Sequence, residues 1–473
     1  MSDAPSLVQA ALSSPAESVA ERILKRIVAL PGWVQGLGGL VLVAFYAQRI
    51  WTVYHDTGLF RRLGFDWGLF YSQALAFAAG DIGAMYQVDR LSPYLQRLAP
   101  FSATPELPLL QWPSPYPPLL AALMQPLTLI PPRVAFGIWT ALSVSSAVHL
   151  LWRARQLLPA AGTGRLALIL VTSLPVLQTL LLGQPVLFLA SALAESYLAL
   201  RRGADFRGGL WLAVLALKPQ YGLILGLFLL WQRRWWAVAG AAVGVGLVVG
   251  GSVLAAGPGA IVDYETAVSA MGAFRDPYAV PAEMVNWRSV IVNARPAIGN
   301  TSGVLLFLTL SALTLLATAW ATRGPWRPRS ATLDLQLAAV IAATFLVSYH
   351  SHMHGLVLLT VPLAAAWRTA SVAPVLRLSM LALVFLPTVA FVAVTAVGRG
   401  FAIDYDEPLW VVWPVLTAAL LAILLGAALL TLRNTHILNA RVATFVETTS
   451  LAASHPPGNL ETPSPAVASG HNA

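Results

Sequence analysis

The chain contains no cysteine, so neither a disulfide framework nor a thiolate metal site is open to it. Charge is scarce as well: only 10% of its 473 residues are Asp, Glu, Lys or Arg, where a soluble domain carries about a quarter. Lysine is almost missing, with Lys25 and Lys218 the two among 29 basic residues. What replaces charge is apolar surface, 57% of residues with a mean hydropathy of +0.70. That is too much for a water-soluble core, and the excess must face lipid. The net charge of +9 would fit nucleic acid, but the basic residues stand in short groups between apolar runs. That pattern orients a membrane protein, and no basic stripe or stacking platform for nucleic acid accompanies it.

A bilayer takes roughly 20 apolar residues to cross. Trp33 to Val53 supplies them, and Arg22, Lys25 and Arg26 before it place the N-terminus in the cytoplasm. Met1 to Ala20 is polar and weakly acidic, unlike a cleavable signal, so residues 1–30 are expected to be a cytoplasmic segment. The polar interval after the first run then lies outside, with surface helices over Gly68–Gly80 and Pro118–Ile130, the second broken by Pro131-Pro132. Further spans follow at Phe136–Trp152, Leu166–Leu182 and Val186–Leu200.

Gly208 to Gln232 has Arg207 before it and Arg233-Arg234 after it, so both ends should share the cytoplasmic side. Too short for two full spans and interrupted by Lys218-Pro219-Gln220, it reads as a re-entrant hairpin lining a water-filled cavity. Trp235–Ala256, Val304–Trp320, Leu335–Val347, Leu356–Trp367, Leu378–Val397 and Trp410–Leu432 complete the pattern. The expectation is an all-α polytopic membrane domain over 31–435 with about twelve transmembrane elements, roughly eleven to thirteen. Its outer loops fall near 54–133, 257–300 and 398–408, and residues 436–473, rich in Ser, Pro, Thr and Ala, form a disordered cytoplasmic tail.

In this topology the unusual polar residues gather on the outer face: Asp66, Tyr71 and Tyr116, Gln184, Lys218 and Gln220. Asn286, Arg288 and Arg295 join them from the second outer loop, and His350, His352 and His354 from a later one. Ionisable groups at membrane depth point to function. Asp66, set among aromatics, can take a proton from a hydroxyl, or it can cap the helix that follows. Lys218 at the apex of the hairpin suits a phosphate, with Arg288 or Arg295 sharing the task, or it snorkels to the surface. Trp112 to Leu119 is an extended, proline-rich interfacial anchor or the wall of a lipid groove.

The three alternating histidines invite a metal. Without a His-Glu-x-x-His pattern, however, they fit hydrogen bonding at a cavity mouth better. Asp404, Asp406 and Glu407 form an acidic loop that a divalent cation can use, though such clusters are more often a solvated face.

Several of these stretches together resemble glycosyltransferase family 87, integral-membrane mannosyltransferases of the GT-C type. They are Phe65-Asp66 with Phe70-Tyr71, Ala79-Gly80-Asp81, Tyr116-Pro117-Pro118-Leu119 leading to Gln125-Pro126-Leu127 and Ile130-Pro131, and Leu182-Gly183-Gln184. Gly208-Gly209-Leu210 leading to Leu217-Lys218-Pro219 follows, with a looser likeness over Ser348 to Pro362. No one match is specific, but their order over residues 60–235 is.

The resemblance implies a GT-C fold in a bacterial inner membrane, a polyprenyl-phosphate-mannose donor, a lipid or cell-envelope glycan acceptor, and Asp66 as the catalytic acidic residue. No cofactor is required on this reading, because cationic side chains can take the leaving-group charge, and a divalent cation is optional. A transporter or flippase of a lipid-linked sugar, and a ligase or polymerase moving a preassembled glycan, are the competing readings.

Overall fold

The computed structural model describes residues 31–102, 116–158, 162–270, 281–294, 298–368, 373–397 and 412–454, with a few positions before residue 31. Among them the structure is helical, and β pairing is confined to three isolated bridges. The α-helices are α1 (Gly32–Thr57), α2 (Phe65–Ala78), α3 (Val88–Gln96), α4 (Pro118–Met124), α5 (Pro132–Leu157) and α6 (Thr163–Thr172). Next come α7 (Leu174–Leu182), α8 (Val186–Arg201), α9 (Asp205–Leu212), α10 (Pro219–Trp231), α11 (Trp235–Ala256) and α12 (Gly259–Ala270). The last are α13 (Trp287–Ala294), α14 (Asn300–Ala321), α15 (Ala331–Val347), α16 (Thr360–Arg368), α17 (Pro374–Val397) and α18 (Val412–Ser454).

Six helices, α1, α5, α11, α14, α17 and the first half of α18, are long and apolar enough to cross a membrane, and the α6–α7 pair makes a seventh if counted as one broken span. The chain is thus an all-α polytopic membrane protein with six or seven candidate spans among the described residues, against about twelve elements expected. Part of the difference lies in α10, α15 and Met353–Arg368, apolar helices of 10–17 residues, short against the roughly 20 that a bilayer requires. The expected single span over Leu166–Leu182 is bent by 57° at Ser173. Pro175 in the first turn of α7 is the cause, because it has no N–H to continue the ladder and its ring crowds the preceding turn.

The shorter helices run between two polar ends. At one end Asp334 accepts from Tyr197 Oη (2.5 Å), Arg201 Nε (3.0 Å) and Arg368 Nη2 (3.3 Å). Gln232 Nε2 and Gln336 Nε2 both donate to the Thr322 carbonyl there. Trp152, Trp231, Trp235, Trp236 and Trp320 are exposed beside these arginine-bearing helix ends, as indoles at a membrane–water interface are. At the other end stand Gln184, Lys218 and the Ser348–His354 loop, reached along α8, α10 and α15. At 1.5 Å per residue these helices hold the two ends about 20–25 Å apart.

Asp205, at the start of α9, is ion-paired with Arg234, just past α10, so the chain enters and leaves this segment at the arginine end. Between them a 3-10 turn over Ala213–Leu217 hands over to Lys218, whose extended backbone (φ −141°, ψ 74°) precedes Pro219 at the start of α10. A residue before proline is pushed out of the helical region, which is why the turn falls at the lysine. The outgoing limb is clamped backbone to backbone on α11. A Cβ at Gly209 would overlap the Ala237 carbonyl, and one at Gly240 the Phe206 carbonyl, the small-residue packing that lets membrane helices approach closely.

The first polar interval has its own core. Phe60 stacks on Trp67 (5.3 Å between centroids), Trp67 on Tyr71 (4.7 Å), and Phe136 of α5 closes the group. The expected helix over Pro118–Ile130 is α4 followed by a 3-10 segment over Gln125–Leu129, because Pro126 cannot donate to an α ladder. In the second interval, read from sequence as a polar loop, α12 packs Tyr264 against Tyr86 (5.8 Å) and so roofs the first. Helix α18 continues to Ser454, beyond residue 436 where the tail was expected to begin.

Candidate active site

The site is built where α2 meets the α7–α8 turn. Gly64 stands in the left-handed region (φ 75°) and donates its N–H to the Leu181 carbonyl (2.6 Å), which pins the start of α2 to the end of α7. Gly64, not Asp66, is the N-cap, so the capping role open in the sequence is not the one found. Asp66 sits one residue into the helix, and its Oδ2 accepts from Gln184 Nε2 at 2.7 Å.

Gln184 is held by its neighbours. Gly183 turns left-handed (φ 72°), with Trp67 so close that a Cβ there would press on the indole. Trp139 Nε1 donates to the Gly183 carbonyl (2.8 Å), and the Gln184 N–H reaches Thr179 O (2.9 Å). Its side-chain Oε1 accepts from Tyr116 Oη (2.8 Å) and Lys218 Nζ (3.3 Å). Two donors face the oxygen and one carboxylate faces the nitrogen, so one amide orientation satisfies all three.

Lys218 is buried, 3% exposed. Its ammonium lies 3.2 Å from His354 Nε2 and over the faces of Tyr116 (5.4 Å) and Tyr221 (5.6 Å). The bonds through Gln184 bring Asp66 and Lys218 within about 8 Å of each other. At an effective dielectric near 20, that attraction is on the order of 2 kcal/mol. Burial outweighs it: desolvation raises the Asp66 carboxyl above the usual range, while Gln184 and then Lys218 pull it back in part.

The histidine loop is clasped from two sides. Val285 N–H donates to Ser351 O (2.8 Å), Asn286 Nδ2 to Ser348 O (2.7 Å) and Arg288 Nη1 to Tyr349 O (3.2 Å), while Gln220 Nε2 reaches His350 O (3.4 Å) from the hairpin. His350, His352 and His354 stand in a row, with ring centroids 4.7 and 5.8 Å apart. His350 is driven well below its ordinary value, by burial first and then by His352, Lys218 and Arg288. His352 is pushed down to about 3, again chiefly by burial, then by Lys218 and Arg288 against a partly offsetting bond to the Glu283 backbone.

Of the residues singled out in the sequence, Asp66, Tyr116, Gln184, Lys218 and His354 form one connected group, with Gln220, His350 and His352 beside it. Arg288, 2% exposed, is next to the loop. Asn286 spends its side chain on the backbone, since Oδ1 also takes the Ser289 N–H (2.9 Å) as a cap for α13. Tyr71 stands on Trp67 in the first-interval core and bonds Ile130 O (3.4 Å). Arg295, Trp112, Asp404, Asp406 and Glu407 lie outside the described residues. Among the described residues no three His, Asp or Glu side chains come together as metal ligands.

Glu283 was not anticipated. It precedes Met284, which bridges to His352, and burial pushes its carboxyl up to about 7. The signal lay in Pro281-Ala282-Glu283-Met284-Val285-Asn286-Trp287-Arg288, where it is the one acid beside two residues already singled out.

Residues 115–349 match the model of glycosyltransferase family 87. The match takes in Tyr116, Gln184, Lys218 and Arg288 and begins after Asp66. No curated protein and no solved structure matches the chain.

Proposed function

We propose that the protein is an inverting membrane glycosyltransferase. It moves a mannose or related hexose from a polyprenyl-phosphate donor to a hydroxyl of a lipid-linked or cell-envelope glycan acceptor. The observation that carries this reading is the carboxylate and buried ammonium joined through Gln184 at one end of the bundle, inside or beside a stretch matching a glycosyltransferase family. By the positive-inside rule the arginine end, with both termini, is cytoplasmic and the site faces outward.

In the proposed step Asp66 removes the proton of the acceptor hydroxyl as its oxygen attacks the anomeric carbon. A carboxyl raised by burial is suited to accept that proton near neutral pH. The bond from the anomeric carbon to the phosphate oxygen breaks, its electron pair stays on the phosphate, and a β-linked donor gives an α-linked product. Lys218 stabilises the charge that develops on the departing phosphate, and Arg288 adds to the positive field. Lys218 meets that phosphate by exchanging one of its present neutral partners, Gln184 or His354, for a phosphate oxygen.

Purified protein given polyprenyl-phosphate-mannose and membrane lipid extract is expected to yield a glycolipid one hexose heavier by mass analysis. Addition of an oligosaccharide would identify a ligase or polymerase instead. Movement of the donor across the bilayer with no new bond would identify a flippase.

A further inference from the structure

Lys218 is buried, and none of the ion pairs among the described residues includes it. Its direct neighbours are neutral or aromatic: Gln184 Oε1, His354 Nε2, and the rings of Tyr116 and Tyr221. The nearby carboxylate, Asp66, is reached only through the amide of Gln184, which donates to one and accepts from the other. A lysine stem is long and flexible, and a gap of about 8 Å with a small residue in place of Gln184 is one it can cross.

We propose that Gln184 is a positioning residue that keeps Asp66 and Lys218 one amide apart. It leaves the carboxylate free for a hydroxyl and the ammonium free for a phosphate, where a direct ion pair would neutralise both. The backbone around it is built for such a spacer, with Gly183 in a left-handed turn against Trp67 and the Gly183 carbonyl held by Trp139. Tyr116 steadies the amide from the side opposite the carboxylate. The histidines that feel the charge of Lys218 are His350, His352 and His354, all neutral bases, and Asp66 is the carboxylate whose charge acts on it.

This inference rests on the proposed phosphate role of Lys218, and its test is read by binding alone. Equilibrium binding of polyprenyl monophosphate to the full-length protein in detergent is measured for wild type, Gln184→Ala, Asp66→Asn and the double variant. Gln184→Ala is expected to weaken binding at least about tenfold, because Lys218 is then drawn onto Asp66. Adding Asp66→Asn should restore it, since asparagine offers no charge to capture the lysine. Loss that the double variant fails to restore would overturn the spacer role and mark Gln184 as merely structural, or as a direct phosphate ligand. If wild type binds no polyprenyl monophosphate, the donor reading of the site falls as well, which separates the two failures. Gln184→Ser, which opens the same gap while keeping a small polar side chain, gives the same contrast if the alanine variant does not fold.

Discussion

Lys218 Nζ lies 3.2 Å from His354 Nε2, a contact in which an ammonium, having only donors, requires the ring nitrogen to accept. A cation so placed has no carboxylate in contact to satisfy it, and a phosphate is the natural partner. Lys218→Met is therefore expected to lower kcat/KM for the donor by roughly 10²–10³, the usual cost of removing a charge-stabilising donor, with acceptor KM little changed. Separate titrations of donor and acceptor check this, and an equal loss in both would remove Lys218 from phosphate recognition.

Asp66→Asn is expected to cut transfer by about 10²–10⁴, the range for loss of a general base. It should also stabilise the folded protein at neutral pH. The Asp66 carboxyl is raised above its unfolded value by burial, so between those two values the folded state binds the extra proton. Stability from this group is present at low pH and lost as pH rises through the folded pKa. Thermal unfolding of the two proteins should coincide in acid and diverge above it, with the variant the more stable; a less stable variant at pH 7 would contradict the desolvated carboxylate.

The histidine loop gives the opposite pH response. His350 and His352 are held neutral, their folded pKa values below the unfolded 6.5. The unfolded chain therefore binds more protons between the two values, and stability falls as pH drops below about 6.5. Replacing His352 by Gln should blunt that fall. An acid slope unchanged in His352→Gln would place its cause elsewhere.

The hairpin makes a topological prediction that the cysteine-free chain lets one read directly. Single cysteines at Ala204 and Arg233, one at each end of the Asp205–Arg234 closure, should react with a membrane-impermeant thiol reagent from the same side of sealed vesicles. Reaction from opposite sides would turn the segment into a plain span. Gly240→Val, which drives a side chain into the Phe206 carbonyl, should lower stability by about 1–3 kcal/mol through overpacking.

Much of this site is legible in the chain because rare residues mark it. A lysine before a proline in an apolar run, an aspartate after a glycine among aromatics, and arginines at both ends of one short segment each carry a direct physical meaning. Tertiary pairing is what the sequence does not display. Asn286 bonds Ser289 and Ser348, and Tyr71 stacks on Trp67, pairings that no sequence pattern announces. The count of candidate spans among the described residues, six or seven against about twelve expected elements, differs in part because α10 and α15 are apolar yet shorter than the roughly 20 residues a bilayer takes.

The most direct measurement follows one reaction to its products. Polyprenyl-phosphate-[1-¹³C]mannose with a β linkage is given to the purified protein and its Asp66→Asn variant, and the anomeric configuration of the new glycoside is read by NMR beside the released polyprenyl phosphate. The account predicts an α-linked sugar with one polyprenyl phosphate released per linkage, and almost none from the variant. A β-linked product, or transfer that survives Asp66→Asn, would contradict a single displacement with Asp66 as its base.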